Sequence, residues 1–129
     1  MKRFLIFALA LFTLGVAQAK PTQKQIVSPD GSLKLTVTIG DEVRWSVEDD
    51  GVTIIAPSQI AMYINESEAW GVKPQLRKAA VGKIDEVIPS PLYKKSEVEN
   101  ECTTLTLSFK GDYAIELRAY DNAAAYRFI

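Results

Sequence analysis

The sequence predicts an all-β chain folded as an antiparallel β-sandwich, and three observations carry that prediction. Apolar and polar residues alternate with a period of two in four separate runs, the pattern of strands covered on one face. Turn sequences rich in Gly and Asp fall between those runs. No stretch after Lys20 carries a helical period. Strands joined in series by short turns pair antiparallel with their neighbours and build a sandwich or a barrel.

The elements follow in order. Leu33, Leu35, Val37 and Ile39 alternate with Lys34, Thr36 and Thr38, after the turn sequence "SPDGS" at 28–32. "GDE" at 40–42 leads into a second run, where Val43, Trp45 and Val47 alternate with Arg44, Ser46 and Glu48. "DDG" at 49–51 reverses the chain again. "IAPSQIAMYI" then reads as two short strands around Pro57, a residue suited to an edge or a break because it cannot donate to a ladder. The stretch from Asn65 to Glu101 mixes a loop with extended pieces, and Pro89 and Pro91 mark it as a crossing between sheets. Leu105, Leu107 and Phe109 alternate with Thr104, Thr106 and Ser108; after "KGDY" at 110–113, Tyr113, Ile115, Leu117 and Ala119 alternate with Ala114, Glu116 and Arg118. Asp121-Asn122 is a further turn, and Ala125 to Ile129 begins another strand.

The N-terminus has a different character. Lys2 and Arg3 precede an apolar run of 13 residues, Phe4 to Val16, and Ala17-Gln18-Ala19 has the small-x-small form of a signal-peptidase site. The run is short of the ~20 residues that span a bilayer as a helix. Residues 1–19 are therefore predicted to be a signal peptide cleaved between Ala19 and Lys20, which leaves no stable membrane anchor. Residues 20–129 form one domain, located in the periplasm or secreted. Removing Lys2 and Arg3 from 15 basic residues leaves 13 against 16 acidic ones, a net charge of −3. That balance, with no basic cluster, argues against nucleic acid as a partner.

Candidate chemistry is sparse. The chain has no histidine and one cysteine, Cys102, which excludes Ser-His-Asp and Cys-His catalysis, imidazole zinc sites and an intrachain disulfide. Cys102 reads as a small buried filler. Glu97, Glu99 and Glu101 share one strand face with neighbours ~7 Å apart, from the rise of a strand. That separation suits paired carboxylates, but nothing nearby would split their pKa values, and a solvated face is the better reading. Asn65-Glu66-Ser67 and Asp49-Asp50-Gly51 read as polar turns rather than a glycosylation site or a calcium loop. Trp70, in "EAWGVKP", has two readings: a loop tryptophan that offers its face to a sugar ring, or a plug at one end of the sandwich. Trp45, on an alternating strand, belongs to the core. No residue is assigned a catalytic or metal-binding role.

Taken together, "SPDGSLKLTVTIGDEVRWSV", "AWGVKP", "IPSPLYKKSEV" and "LTLSFKGDYAIELRAYDNAAAYRF" resemble the N-terminal domain of glycoside hydrolase family 97, in order and over nearly all of residues 20–129. The resemblance implies a β-sandwich similar to the galactose mutarotase fold, incomplete at its C-terminal end, that packs on a catalytic (β/α)8 barrel of the same parent chain. It also implies a secreted or periplasmic enzyme acting on α-linked oligosaccharides, an α-glucosidase or α-galactosidase. The catalytic carboxylates and the calcium ligands of such an enzyme lie in the barrel, so no catalytic position carries over and no cofactor is expected in this chain itself. The alternative reading is a stand-alone secreted β-sandwich that binds carbohydrate or protein. Where the family has a Gly-containing turn after "RAYD", this chain has Asn122-Ala123-Ala124, and alanine resists positive φ, so a different turn is expected there.

As the first part of a larger sandwich, the chain is expected to leave Leu105, Leu107, Phe109, Ile115 and Leu117 short of part of their cover, with Tyr126 and Phe128 at an open edge. The leader gives the first testable outcome. Mass spectrometry of exported material should find a chain beginning at Lys20; finding only intact Met1 chains in the membrane would count against the signal-peptide reading.

Overall fold

The computed structural model describes residues 20–129, so the predicted leader lies outside the described residues. All regular structure in it is strand. Strands β1 (Thr22–Val27), β2 (Leu33–Ile39), β3 (Val43–Asp49) and β4 (Val52–Ile60) form one antiparallel meander. After a crossing that contains β5 (Met62–Tyr63) and β6 (Ala69–Trp70), strands β7 (Leu76–Pro89), β8 (Glu97–Phe109), β9 (Tyr113–Ala119) and β10 (Ala124–Phe128) form a second.

The alternation read from the sequence decides which sides meet. Leu33, Leu35, Val37, Ile39, Val43 and Val47 from the first sheet close on Leu105, Leu107, Phe109, Ile115, Leu117 and Ala119 from the second. The five residues expected to lack cover are in fact almost wholly buried, none more than 2% exposed. The reason is stagger. β1 lies against β8 and β2 against β9, while Trp45 of β3 meets Tyr126 of β10. Central β2 is thus paired face to face with central β9, central β3 and β8 face the edge strands β10 and β1, and β4 extends past β10 on one side as β7 extends past β1 on the other. Cover is missing at those two overhangs, where Val52, Ile54, Val81 and Val87 are all more than half exposed.

The overhangs also hold the elements that depart from the sequence reading. β4 is one nine-residue strand rather than two short ones. It passes Pro57 by shifting register between Trp45 and Val47 of its only ladder partner, β3, so the missing N–H falls at an irregular, outer position. The stretch around Pro89 is not a crossing between sheets. β7 and β8 are a long hairpin within one sheet, in register from Lys78↔Ser108 to Pro89↔Glu97, and Pro91 lies in its tip. Pro89 is tolerated because it is the last pair of an edge strand. The crossing is made instead by residues 61–75. β1 gave no signal because its burial pattern leaves only Ile26 covered. Trp45 packs against the core but is half-buried, since the strand facing it is itself an edge.

The turns follow their chemistry. Asp50-Gly51 and Gly111-Asp112 have positive φ at both residues, the requirement of the twisted two-residue hairpin. The β9–β10 turn has no positive φ; Tyr120 N–H donates to Ala123 O at 2.8 Å across a four-residue loop, the different turn that alanine demands. In the β1–β2 turn, the Asp30 carboxylate accepts from the Ser28 hydroxyl at 2.6 Å, from Ser32 N–H at 2.9 Å and from the Ser32 hydroxyl at 2.8 Å. Asp30 N–H in turn donates to Asp121 Oδ1 at 2.9 Å, which ties a turn of one sheet to a turn of the other.

Those bonds, that from Ser28 first and those from Ser32 next, lower the Asp30 pKa from 3.8 to about 2. A carboxyl with a depressed folded-state pKa stabilises the fold above its unfolded pKa and loses that contribution as pH falls through the folded value. Urea-unfolding midpoints should therefore drop between pH 3.8 and about 2, and Asp30→Asn should flatten that part of the profile. An unchanged acid limb in the variant would show that the turn is not coupled to folding.

Candidate functional site

The crossing segment anchors a connected set of aromatic side chains among the described residues. Gly71 has φ +82°, and a Cβ added there would lie 2.2 Å from the carbonyl oxygen of Ile60. Only glycine lets the crossing lie this close to the end of β4. Once there, Gly71 N–H donates to the buried Tyr113 hydroxyl at 3.1 Å, and Gly71 O accepts from Val43 N–H at 3.0 Å. Lys73 N–H donates to Asp41 O at 2.7 Å.

Trp70 is thereby laid flat on Tyr113, the ring planes 1° apart and the centroids at 5.3 Å. Its indole N–H donates to Glu68 at 3.3 Å. Five contacts link six rings in a row: Phe109 to Tyr113 at 5.0 Å, Tyr113 to Trp70, Trp70 to Phe128 at 5.9 Å, Phe128 to Tyr126 at 6.4 Å, and Tyr126 to Trp45 at 5.0 Å. The row runs from buried Phe109 through β10, where Tyr126 is 41% exposed, to half-buried Trp45 on β3. Trp70 is half-buried and packs against the core, which gives it the structural duty of a plug.

A polar network covers the outer face of the second sheet. Glu116 accepts from Arg118 Nε at 2.6 Å and from Arg127 at 3.2 Å. Arg118 also reaches the Tyr120 hydroxyl at 3.4 Å, which donates to Asn100 at 3.2 Å, and the Asn100 amide donates to Glu86 at 2.6 Å. Burial pushes the Glu116 pKa up, but the two guanidiniums outweigh it and hold the carboxyl below its ordinary value. The hydrogen bond to Tyr120, and then that to Glu116, raises Arg118 further. A carboxylate held ionised by two arginines has no proton to give at neutral pH, so Glu116 is unsuited to act as a general acid. Glu116, Arg118, Tyr120, Ala125, Tyr126 and Arg127 line a shallow recess of about 240 Å³.

The remaining sequence candidates fall as follows. Glu97, Glu99 and Glu101 sit exposed on the outer half of β8, opposite Pro89, Val87 and Asp85, as a solvated face. Cys102 is buried, 1% exposed, on the parity of Asn100 and Thr104 rather than within the main core. Asn65 accepts from both Ser67 N–H and Ser67 hydroxyl at 2.9 Å, a polar turn. Among the described residues no three His, Cys, Asp or Glu side chains gather as metal ligands. The aromatic row itself was not read from the sequence; its members lie on four strands and a crossing, and only the "RAYD…AYRF" pattern hinted at two of them.

Comparison with known proteins places this geometry. The family model for the glycosyl-hydrolase 97 N-terminal domain matches residues 26–129. The chain belongs to that family. A retaining alpha-galactosidase of Bacteroides thetaiotaomicron is 43% identical over 109 residues, covering 83% of this chain and 16% of the relative. A glycoside hydrolase family 97 enzyme from Pseudoalteromonas sp. strain K8, solved with panose and with acarbose, superposes with a TM-score of 0.72 at 17% identity, over 81% of this chain and 17% of its own. A beta-arabinopyranosidase superposes with the same TM-score at 25% identity, over 81% of this chain and 18% of its own. The family 97 N-terminal domain described here thus spans about one sixth of the curated relative it matches.

The close approach at Gly71 gives a paired prediction. Gly31 has the same φ, +80°, but open space around it. Gly31→Ala should cost only the backbone strain, about 1 kcal/mol, and Gly71→Ala at least ~3 kcal/mol, because strain and a backbone clash add. Tyr113→Phe, which leaves Gly71 N–H buried without its acceptor, should cost ~1–3 kcal/mol. Denaturant unfolding of the three variants measures this; equal losses at the two glycines would remove the crossing from the centre of the fold.

Proposed function

We propose that this chain is the first part of the N-terminal sandwich of a secreted α-glycosidase, with α-galactosides the preferred substrates. In this reading it supports a catalytic (β/α)8 barrel of the same protein and the sugar pocket beside it, and is inactive alone. The observation that carries the reading is the 43% identity to a retaining alpha-galactosidase, shared over 83% of the chain. The absence of histidine and the ion-paired state of Glu116 support placing the chemistry outside these residues. Calcium, which the family resemblance implies for such an enzyme, has no cluster of three acidic ligands to bind among the described residues, and in this reading the barrel holds it. Trp70 acts first as a support, because one ring face lies on Tyr113; any sugar contact it makes uses its remaining surface.

The test separates the whole enzyme from this part. The purified chain should not hydrolyse aryl α-galactosides or α-glucosides, with or without calcium. A polypeptide that continues through the DNA downstream of codon 129 should cleave α-galactosides in preference to α-glucosides. Calcium-dependent turnover that co-elutes with the 129-residue chain would overturn the reading, as would a downstream gene unrelated to a barrel. That second result would favour a stand-alone binding sandwich.

A further inference from the structure

The chain contains two Asp-Gly pairs, Asp30-Gly31 and Asp50-Gly51, each in a turn between neighbouring strands of the first sheet. An Asp-Gly pair rearranges without an enzyme. The glycine nitrogen attacks the aspartic acid Cγ, a Cγ–N bond forms, and the carboxyl hydroxyl leaves with the amide proton as water. A second water then opens the cyclic imide. Breaking the new Cγ–N bond restores aspartate. Breaking the bond from the nitrogen to the main-chain carbonyl carbon leaves isoaspartate, whose backbone runs through the former side chain. Glycine favours the attack because it carries no Cβ and its backbone turns freely. The sequence does not separate the two pairs; the fold does.

Asp30-Gly31 is restrained at both reacting groups. The carboxylate accepts from the Ser28 hydroxyl at 2.6 Å, from Ser32 N–H at 2.9 Å and from the Ser32 hydroxyl at 2.8 Å. Gly31 N–H, the nucleophile, donates to Ser28 O at 2.9 Å. Closing the imide here breaks the Gly31 bond and turns the carboxyl away from its donors. Those donors, Ser28 first, also lower the Asp30 pKa to about 2, whereas ring closure consumes the neutral acid.

The β3–β4 turn has neither restraint. Asp49, Asp50 and Gly51 are all exposed. Among the described residues Gly51 N–H has no backbone acceptor, and the Asp50 carboxylate has neither a hydrogen-bond donor nor an ion-pair partner. A Cβ added to Gly51 would meet nothing within 4 Å, so the imide ring and the attacking water have room. Asp50 also holds φ at +46°, a conformation that residues other than glycine seldom adopt.

We propose that Asp50-Gly51 is a site of spontaneous covalent modification, where the folded chain converts aspartate to isoaspartate through a cyclic imide while Asp30-Gly31 is spared. The product adds one backbone atom between Asp49 and Val52, the pair that closes the β3–β4 hairpin. This inference rests on the two turns and not on the proposed glycosidase activity.

The experiment incubates the purified chain, folded and guanidinium-unfolded, at mildly acidic pH and body temperature, and then maps its peptides. Isoaspartate is located by a protease that cuts before aspartate but not before isoaspartate, and the imide by the loss of one water in mass. In the unfolded sample both pairs should react at similar rates. In the folded sample isoaspartate should accumulate at Asp50 at least ~10-fold faster than at Asp30, because attack at Asp30 must give up hydrogen bonds. Ser32→Ala removes one donor from the Asp30 carboxylate and should raise the rate at Asp30 alone. The proposal is overturned by a folded-state ratio equal to the unfolded one, by faster modification at Asp30, or by no isoaspartate at Asp50 in the folded chain. A rate at Asp30 that Ser32→Ala leaves unchanged would overturn it too.

Discussion

The fold depends on the close approach of Gly71 to the carbonyl of Ile60. Two antiparallel meanders, each built from consecutive strands, need something that fixes how one lies over the other. Apolar burial is non-directional and does not by itself choose between a register and one shifted by two residues. The crossing supplies the missing direction. With no side chain at position 71, the segment reaches Ile60 and Val43 of the first sheet while its N–H meets Tyr113 of the second. Trp70 then stacks on the same tyrosine. At the far end, Asp30 N–H on Asp121 provides a second tie. The core residues between these two ties have one arrangement available to them.

How much of this was legible follows from where cover exists. A strand writes a period of two into its sequence only when one face is buried, so β2, β3, the inner half of β8 and β9, which make up the closed centre, were readable residue by residue. β1, β4 and β7 lie at edges or overhangs, and their sequences carry little alternation because little of them is covered. Proline misled in the same places. At Pro57 and Pro89 it was read as ending or diverting a strand, yet an edge strand has one unpaired side and tolerates the loss of an N–H. The turns were legible for the opposite reason: positive φ at Asp50-Gly51 and Gly111-Asp112 is a local demand that only a few residue types meet.

The site was less legible than the fold. Trp70 was visible as an unusual residue between a polar loop and a glycine, but its partner Tyr113 lies 43 positions away and its neighbour Phe128 further still. Stacking depends on how the crossing passes over the sheets, which no local pattern states. Glu116 and Arg127 are similar. Their pairing follows from the β9–β10 register, Arg127↔Glu116, and that register is set by a four-residue turn without glycine.

The outer face of the second sheet explains how β10 is held among the described residues. One ladder, to β9, and a row of rings would leave its outer face free to shift. Arg127 prevents this by reaching Glu116, which is shared with Arg118, and the chain of bonds continues through Tyr120 and Asn100 to Glu86. One connected network therefore crosses all four strands from β10 to β7 on the side away from the core. Each exposed pair alone contributes little, typically under ~1 kcal/mol. Glu116, however, is only 14% exposed and satisfies two guanidiniums at once, so breaking either bond leaves a part-buried charge poorly compensated. The aromatic row holds β10 from inside and the Arg–Glu–Arg cluster holds it from outside. Between them they fix β10 in the plane of the sheet.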